Sequence, residues 1–214
     1  MFEQALDTRT ILLIKTLAQH GTFFENFYLA GGTALSLHLG HRRSEDIDLF
    51  AEKQFSINYY SDIISSIGGR ILIAEQGTIH CILDEVKLSL FYYPYPLLNP
   101  VTEFFNIKIA SIADIACMKA VAISQRAEKK DFFDLIEILK ILSPAEVKNI
   151  LYDKFGQNKI NLYHIVKSFF YFSDVEDSPD PISLTGITWE KVKDYLISRE
   201  KEISSIFLTG TNCA

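Results

Sequence analysis

Apolar residues recur at three-and-four spacing in "TRTILLIKTLAQHG", residues 8–21, which predicts a helix that stops at Gly21. "NFYLA" reads as a short strand running into Gly31–Gly32, and "TALSLHLG" as a compact helix with Thr33 as N-cap and Gly40 at its end. In "DIDLFA" acid and apolar residues alternate, the period-2 pattern of a strand with one polar face. "SINYYSDIISSIGG" predicts an amphipathic helix opened by Ser56 and closed by Gly68–Gly69. Three strands follow, "RILIAEQ", "TIHCIL" and "VKLSLFYY", the last two joined in a tight hairpin at Asp84–Glu85. Prolines cannot donate to a strand ladder, so "YPYPLLNP" is expected to end the sheet.

After "IKIAS" the pattern turns helical. "IADIACMKAVAISQR", "KKDFFDLIEILKIL", "PAEVKNILYDKFG" and "INLYHIVKSFFYF" each carry a helical apolar stripe. The acidic, proline-broken "SDVEDSPDPISLTG" reads as an exposed loop before a last helix, "TWEKVKDYLISREKEISS". The expected class is α+β: a small mixed sheet with flanking helices over residues 1–106, then a helical bundle over 107–214 that packs on the core and completes its site.

With 48% hydrophobic and 22% charged residues in 214, the composition is that of a globular chain and excludes a disordered or fibrous one. A formal net charge of −6 means that contact with a polyanion needs a local basic patch. No apolar run reaches the roughly 20 residues of a membrane helix, and the N-terminus lacks the features of a secretion signal, so a soluble, cytoplasmic protein with no membrane partner is expected. Cys81, Cys117 and Cys213 show no metal-binding or disulfide spacing and read as two core thiols and one on a loose tail.

Candidate chemistry concentrates between Leu29 and Phe50. Side chains two apart on a strand share a face, so Asp46 and Asp48 project together with Ile47 buried between them. Two carboxylates so close repel unless a cation sits with them, and hard oxygen ligands suit Mg²⁺ or Mn²⁺. Gly31 and Gly32 admit a close ligand and lead into a helix N-terminus, whose N–H groups and dipole seat a phosphate. A phosphate seat beside a metal pair describes phosphoryl or nucleotidyl transfer from a nucleoside triphosphate such as ATP or GTP. Taken singly, a Gly-Gly turn and an acidic strand edge are ordinary structural features; their succession is what points to chemistry.

"GGTALSLHLGHRRSEDIDLF" resembles the signature of the AbiEii/AbiGii toxin group in the DNA polymerase β-like nucleotidyltransferase superfamily. "DIACMKAVAISQRAEKKDFFDL" is similar to that group's later lysine, arginine and Lys-Asp-x-x-Asp motif, and the resemblance covers about Phe27 to Leu139. It implies Mg²⁺-dependent transfer of a nucleoside monophosphate to an acceptor hydroxyl, with Lys119 and Asp131 assisting catalysis and Arg126, Lys130 and Asp134 supporting the site. Arg42 and Ser44 also match the family pattern, as phosphate contacts or supports of the aspartate strand. The resemblance further implies a toxin of a type IV toxin–antitoxin or abortive-infection system, with a cognate antitoxin and a structured RNA such as tRNA as acceptor.

On an uninterrupted helix, Lys119, Arg126 and Lys130 fall on one cationic stripe, with Met118, Val121, Ala122 and Phe133 packing inward. The alternative is a solvated face with a Lys130–Asp134 ion pair. The superfamily's third carboxylate has no counterpart on "EVKLSLFYY", where Ser89 holds the position, and the turn acids Asp84 and Glu85 are the nearest substitutes. This departure keeps a second reading open, a nucleotide-binding or interaction protein without turnover, and a third is transfer to a small molecule. His38 and His41 lack a further ligand in sequence reach and read as packing and loop residues, and "FYYPYP" reads as a core-covering strand before a base-stacking surface.

Overall fold

The computed structural model describes residues 1–19 and 25–209 and divides the chain into two compact units, Met1–Ser111 and Ile112–Ala214. The predicted helix stop at Gly21 and the tail thiol Cys213 lie outside the described residues.

The first unit comprises α1 (Thr8–Gln19), β1 (Tyr28–Leu29), α2 (Gly31–Leu39), β2 (Ile47–Ala51), α3 (Ile57–Ser66), β3 (Arg70–Glu75), β4 (Thr78–Leu83), β5 (Val86–Tyr92), β6 (Thr102–Phe104) and β7 (Ile107–Ile109). Among the described residues the strands form one seven-stranded mixed sheet in the order β3-β4-β5-β2-β1-β7-β6. β2 runs parallel to β5 and antiparallel to β1. The fold is α+β, as the sequence pattern predicts.

Strict alternation divides the sheet's two faces. Leu29, Ile47, Leu49, Ala51, Ile79, Cys81, Leu88 and Leu90 are register neighbours on one face and are buried with Leu13, Ile14, Leu17 and Ile64 of the helices. Each such aliphatic side chain contributes roughly 1.5–3 kcal/mol of burial. The opposite face carries Asp48, Phe50, Ser89, Phe91 and His80.

Asp84 and Glu85, at φ 49° and 63°, make the two-residue turn between β4 and β5. The sheet does not end at the prolines. β6 and β7 follow them, closed by Phe105–Asn106 at φ 49° and 62°, and β7 returns to pair with β1. Strands of three residues are too short to show a period, which is why the prolines read as the boundary. The opening of α2 also differs from expectation: its N-cap is Ala30, and Thr33 lies within the first turn.

The second unit holds α4 (Ile112–Arg126), α5 (Lys129–Ile141), α6 (Pro144–Phe155), α7 (Leu162–Ser168), α8 (Trp189–Ser198) and α9 (Glu200–Leu208). α4 and α5 are separate helices because Glu128 and Asp131 form a reciprocal capping box that starts α5 afresh. The single last helix predicted from the pattern is likewise two, interrupted at Arg199, whose guanidinium holds Glu202 at 2.7 and 2.8 Å. The acidic loop is mostly exposed but anchored: Lys129 Nζ donates to the Glu176 carbonyl (3.0 Å) and to Asp180 (2.8 Å), and Trp189 Nε1 donates to Glu176 (2.7 Å).

Candidate active site

The chain leaves β1 through Ala30, whose N–H donates to the Asp48 carbonyl at 3.1 Å, and turns at once into α2. Gly31 makes that turn at φ +68°, a conformation costly for residues with a Cβ. A Cβ at Gly31 would lie 2.9 Å from Asp48 Oδ2, and one at Gly32 would run into the Arg42 guanidinium. The paired glycines are therefore required by what lies against them, a carboxylate and a guanidinium. Gly31, Gly32, Arg42 and Asp48 are brought together at one point.

Thr33 and Ser44 do a different job. The Thr33 hydroxyl donates to the Asp46 carbonyl and lies 2.8 Å from the Ser44 hydroxyl, and both residues are buried. Their side chains pin the segment carrying the aspartates to the start of α2. Arg42 is buried too, with Nη1 donating to the Arg43 carbonyl at 3.0 Å. The N–H groups of Gly31, Gly32 and Thr33 belong to the first helical turn, where geometry provides no intrahelical acceptor, and Ala30 supplies no side-chain cap. Three donors and the positive end of the helix dipole thus converge beside Asp48.

Asp48 within β2 and Asp46 just before it are half-buried and flank the buried Ile47. Both are hard oxygen donors. Among the described residues no group of three or more His, Cys, Asp or Glu side chains is placed to hold a metal alone. A two-carboxylate donor set with an adjacent phosphate seat still fits Mg²⁺, which keeps several waters and takes substrate oxygens as ligands.

Ser89 lies opposite Asp48 in the β2–β5 register and opposite His80 in the β4–β5 register. It is buried, and its Oγ lies 3.0 Å from His80 Nδ1. Sequence reasoning missed His80. The signal was present, because a two-residue turn at Asp84–Glu85 pairs Leu83 with Val86 and, counting outward, His80 with Ser89. One pleat away Tyr28, Phe50 and Phe91 stack in a row, with centroids 6.0 and 5.0 Å apart. The turn acids do not join this face's polar row: Glu85 is exposed and paired with Arg9.

In the second unit, Lys119 is buried and its Nζ lies 2.7 Å from Asp131 and 2.6 Å from Asp134. Asp131 also accepts from the Glu128 N–H at 3.0 Å. The expected cationic stripe does not form. The helix break after Arg126 leaves that residue exposed and paired with Glu128 at 3.0 Å, and Lys130 pairs with Glu128 at 2.8 Å and not with Asp134. Burial alone would raise the Glu128 carboxyl, but the cations around it, Lys130 foremost with Arg126 and Lys119, together hold the group below its ordinary range. The inward face of α4 is also displaced from expectation: Ile115, Ala116, Ala120 and Ile123 are buried around Lys119, whereas Met118, Val121 and Ala122 are half-exposed. Phe133 is buried as expected.

His38 Nε2 lies 2.8 Å from the Ala110 carbonyl, and His41 is buried. Burial pushes the thiols of Cys81 and Cys117 up to about 11 and about 12, so both are inert core groups.

The family model described as nucleotidyl transferase AbiEii toxin, type IV toxin–antitoxin system, matches residues 13–91 and 66–186. The chain belongs to this AbiEii family. An uncharacterized Aquifex aeolicus (strain VF5) protein is 40% identical over 190 residues, 83% of this chain and 87% of that one. Among solved structures, the nucleotidyltransferase toxin MenT4 of Mycobacterium tuberculosis H37Rv aligns with TM-score 0.56 at 13% identity, covering 93% of this chain and 91% of that chain. JHP933 from Helicobacter pylori aligns with TM-score 0.51 at 20% identity, covering 94% and 95%. ANT(2'')-Ia, solved with adenylyl-2''-tobramycin, aligns with TM-score 0.53 at 16% identity over 69% of this chain and 97% of that one. At these identities the likeness is one of fold. The AbiEii chain is thus a nucleotidyltransferase-family protein in which Gly31 meets Asp48 and Gly32 meets Arg42. Among the described residues no helix is long and apolar enough to cross a membrane.

Proposed function

We propose that this AbiEii protein transfers a nucleoside monophosphate from a nucleoside triphosphate to an acceptor hydroxyl, with pyrophosphate as the leaving group. The observation that carries the reading is the Asp48 carboxylate set against Gly31 at the uncapped start of α2. The backbone N–H groups of Gly31, Gly32 and Thr33 bind phosphate oxygens, as helix N-termini do. Arg42 fixes the loop behind them and adds positive charge. Thr33, backed by Ser44, holds Asp46 in place through its backbone carbonyl, so its carboxylate is not used in that contact.

Asp46 and Asp48 would hold Mg²⁺ or Mn²⁺, which supplies charge neutralisation and alignment of the α-phosphate. The acceptor oxygen bonds to Pα, the Pα–O bond to the β-phosphate breaks, pyrophosphate leaves with that electron pair, and the acceptor proton passes to water. Lys119 and Asp131 act in this reading by holding α4 against α5 through their mutual ion pair, with Asp134 as the third member. Arg126 and Lys130 contribute an exposed basic site tempered by Glu128.

Membership of a type IV toxin family supports a toxin paired with a cognate antitoxin, and the acceptor proposed for it is a structured RNA such as tRNA. The test is incubation with each α-labelled triphosphate, Mg²⁺ and total cellular RNA. Wild type labels RNA and releases pyrophosphate, and Asp46→Ala/Asp48→Ala does neither; equal labelling by both rejects the reading. A second reading, Mg²⁺-dependent nucleotide binding without transfer, is favoured by Ser89 at the neighbour position of Asp48, where it adds no carboxylate. Retained triphosphate binding with no acceptor labelled by wild type would select it.

A further inference from the structure

We propose that His80 is the acceptor-binding residue of the transfer site, a role that rests on the nucleotidyltransferase reading above. Asp48, Ser89 and His80 occupy one rung across three adjacent strands, β2, β5 and β4. Register neighbours project from the same face of a sheet, so all three polar groups stand on the face that carries Asp48. The next rung on that face is aromatic, Tyr28, Phe50 and Phe91, and the polar rung is sharply bounded by it.

Neighbouring strands lie roughly 4.8 Å apart, so two spacings put the backbones of Asp48 and His80 about 10 Å from each other. The residue between them is small. Ser89 is buried, and its hydroxyl shares a hydrogen bond of 3.0 Å with His80 Nδ1, which draws the imidazole inward over β5 toward the strand bearing Asp48. Phe91, two residues along β5 from Ser89, adds a second restraint, its ring centroid 5.4 Å from that of His80 at an interplanar angle of 75°. An imidazole on a half-buried strand position would not need two separate restraints for packing alone. Together they orient one polar group toward the carboxylate that faces the phosphate cradle.

Transfer needs such a group on the acceptor side. In the reading above the phosphates fall to α2 and the metal to the aspartates, which leaves the incoming hydroxyl without an assigned side-chain partner. His80 hydrogen-bonds that hydroxyl and sets its oxygen in line with the α-phosphorus; Ser89 is a positioning residue that acts through the ring. The acceptor class is a molecule offering a sugar hydroxyl, an RNA end being the case expected for this family reading.

The experiment compares wild type, His80→Ala, His80→Gln and Ser89→Ala, each checked by thermal unfolding, in label transfer to total RNA and in binding of a fluorescent ATP analogue with Mg²⁺. His80→Ala is expected to lower transfer on the order of 10²-fold, the cost of a misplaced reactant, with nucleotide binding unchanged. His80→Gln recovers part of the loss, and Ser89→Ala shows a smaller loss of the same kind. Transfer by His80→Ala equal to wild type overturns the proposal. So does loss of nucleotide binding in parallel with transfer, which would put His80 on the triphosphate side. If wild type itself labels no acceptor, the nucleotidyltransferase reading fails first, and that outcome is distinct from both.

Discussion

Among single residues, Gly31 decides the geometry of the candidate site. Its φ of +68° and the 2.9 Å approach of Asp48 to the Cβ position leave no room for a side chain. Gly31→Ala is expected to cost at least about 1 kcal/mol through backbone conformation alone and to push Asp48 aside. Thermal unfolding and Mg²⁺-dependent nucleotide binding should both fall; an alanine variant with wild-type binding would contradict the cradle. Much of this was legible in the sequence, because Gly-Gly and Asp-x-Asp carry their geometry in residue type and spacing. The use of Thr33 was not. A threonine three residues after the N-cap can face a ligand or its own fold, and only the position of the Asp46 carbonyl decides. His80 was hidden for another reason: its partner lies on a different strand, so it emerges only when hairpin register is counted out.

At the scale of elements, the two helical segments read from the pattern are indeed separate helices, Ile112–Arg126 and Lys129–Ile141, and the break between them undoes the cationic stripe that required one continuous helix. Periodicity shows two apolar stripes but not how the charges at their junction pair, which the Glu128–Asp131 capping box decides. Lys119 then serves two buried carboxylates. Removing one partner of a buried ion cluster strands the others, so Lys119→Ala is expected to lose about 3–5 kcal/mol of stability in denaturant titration. A variant as stable as wild type would show that Lys119 is not the clamp between α4 and α5. In the sheet, β6 and β7 were missed because three-residue strands carry no readable alternation, whereas β2, β4 and β5, with five to seven residues, were clear.

At the scale of the whole molecule, a net charge of −6 means that any polyanion, an RNA acceptor included, would be met by local groups and not by the overall field. Its carboxylates also set how it responds to acid. Glu176 is held below its ordinary range by hydrogen bonds from Lys193 and Trp189, and Glu146 by the Ser143 hydroxyl and N–H. Groups with depressed folded-state values stabilise above the unfolded carboxylate range, near pH 4.3, and that stability is lost as pH falls through the folded values. Trp189 is the chain's one tryptophan and bonds directly to Glu176. Its emission is expected to hold from neutral pH down to about 4.3 and to change below, with Glu176→Gln removing part of the transition. Emission that shifts between pH 6 and 8, roughly the histidine range, would contradict this assignment.

The transfer chemistry requires a divalent ion held by Asp46 and Asp48 beside the glycine cradle. A crystal grown with Mn²⁺ and a non-hydrolysable triphosphate tests it most directly, through the anomalous signal of the metal. The account predicts a peak about 2.1 Å from carboxylate oxygens of both aspartates, with phosphate density at the N–H groups of Gly31 and Gly32. A peak elsewhere, or triphosphate bound away from the start of α2, would contradict it.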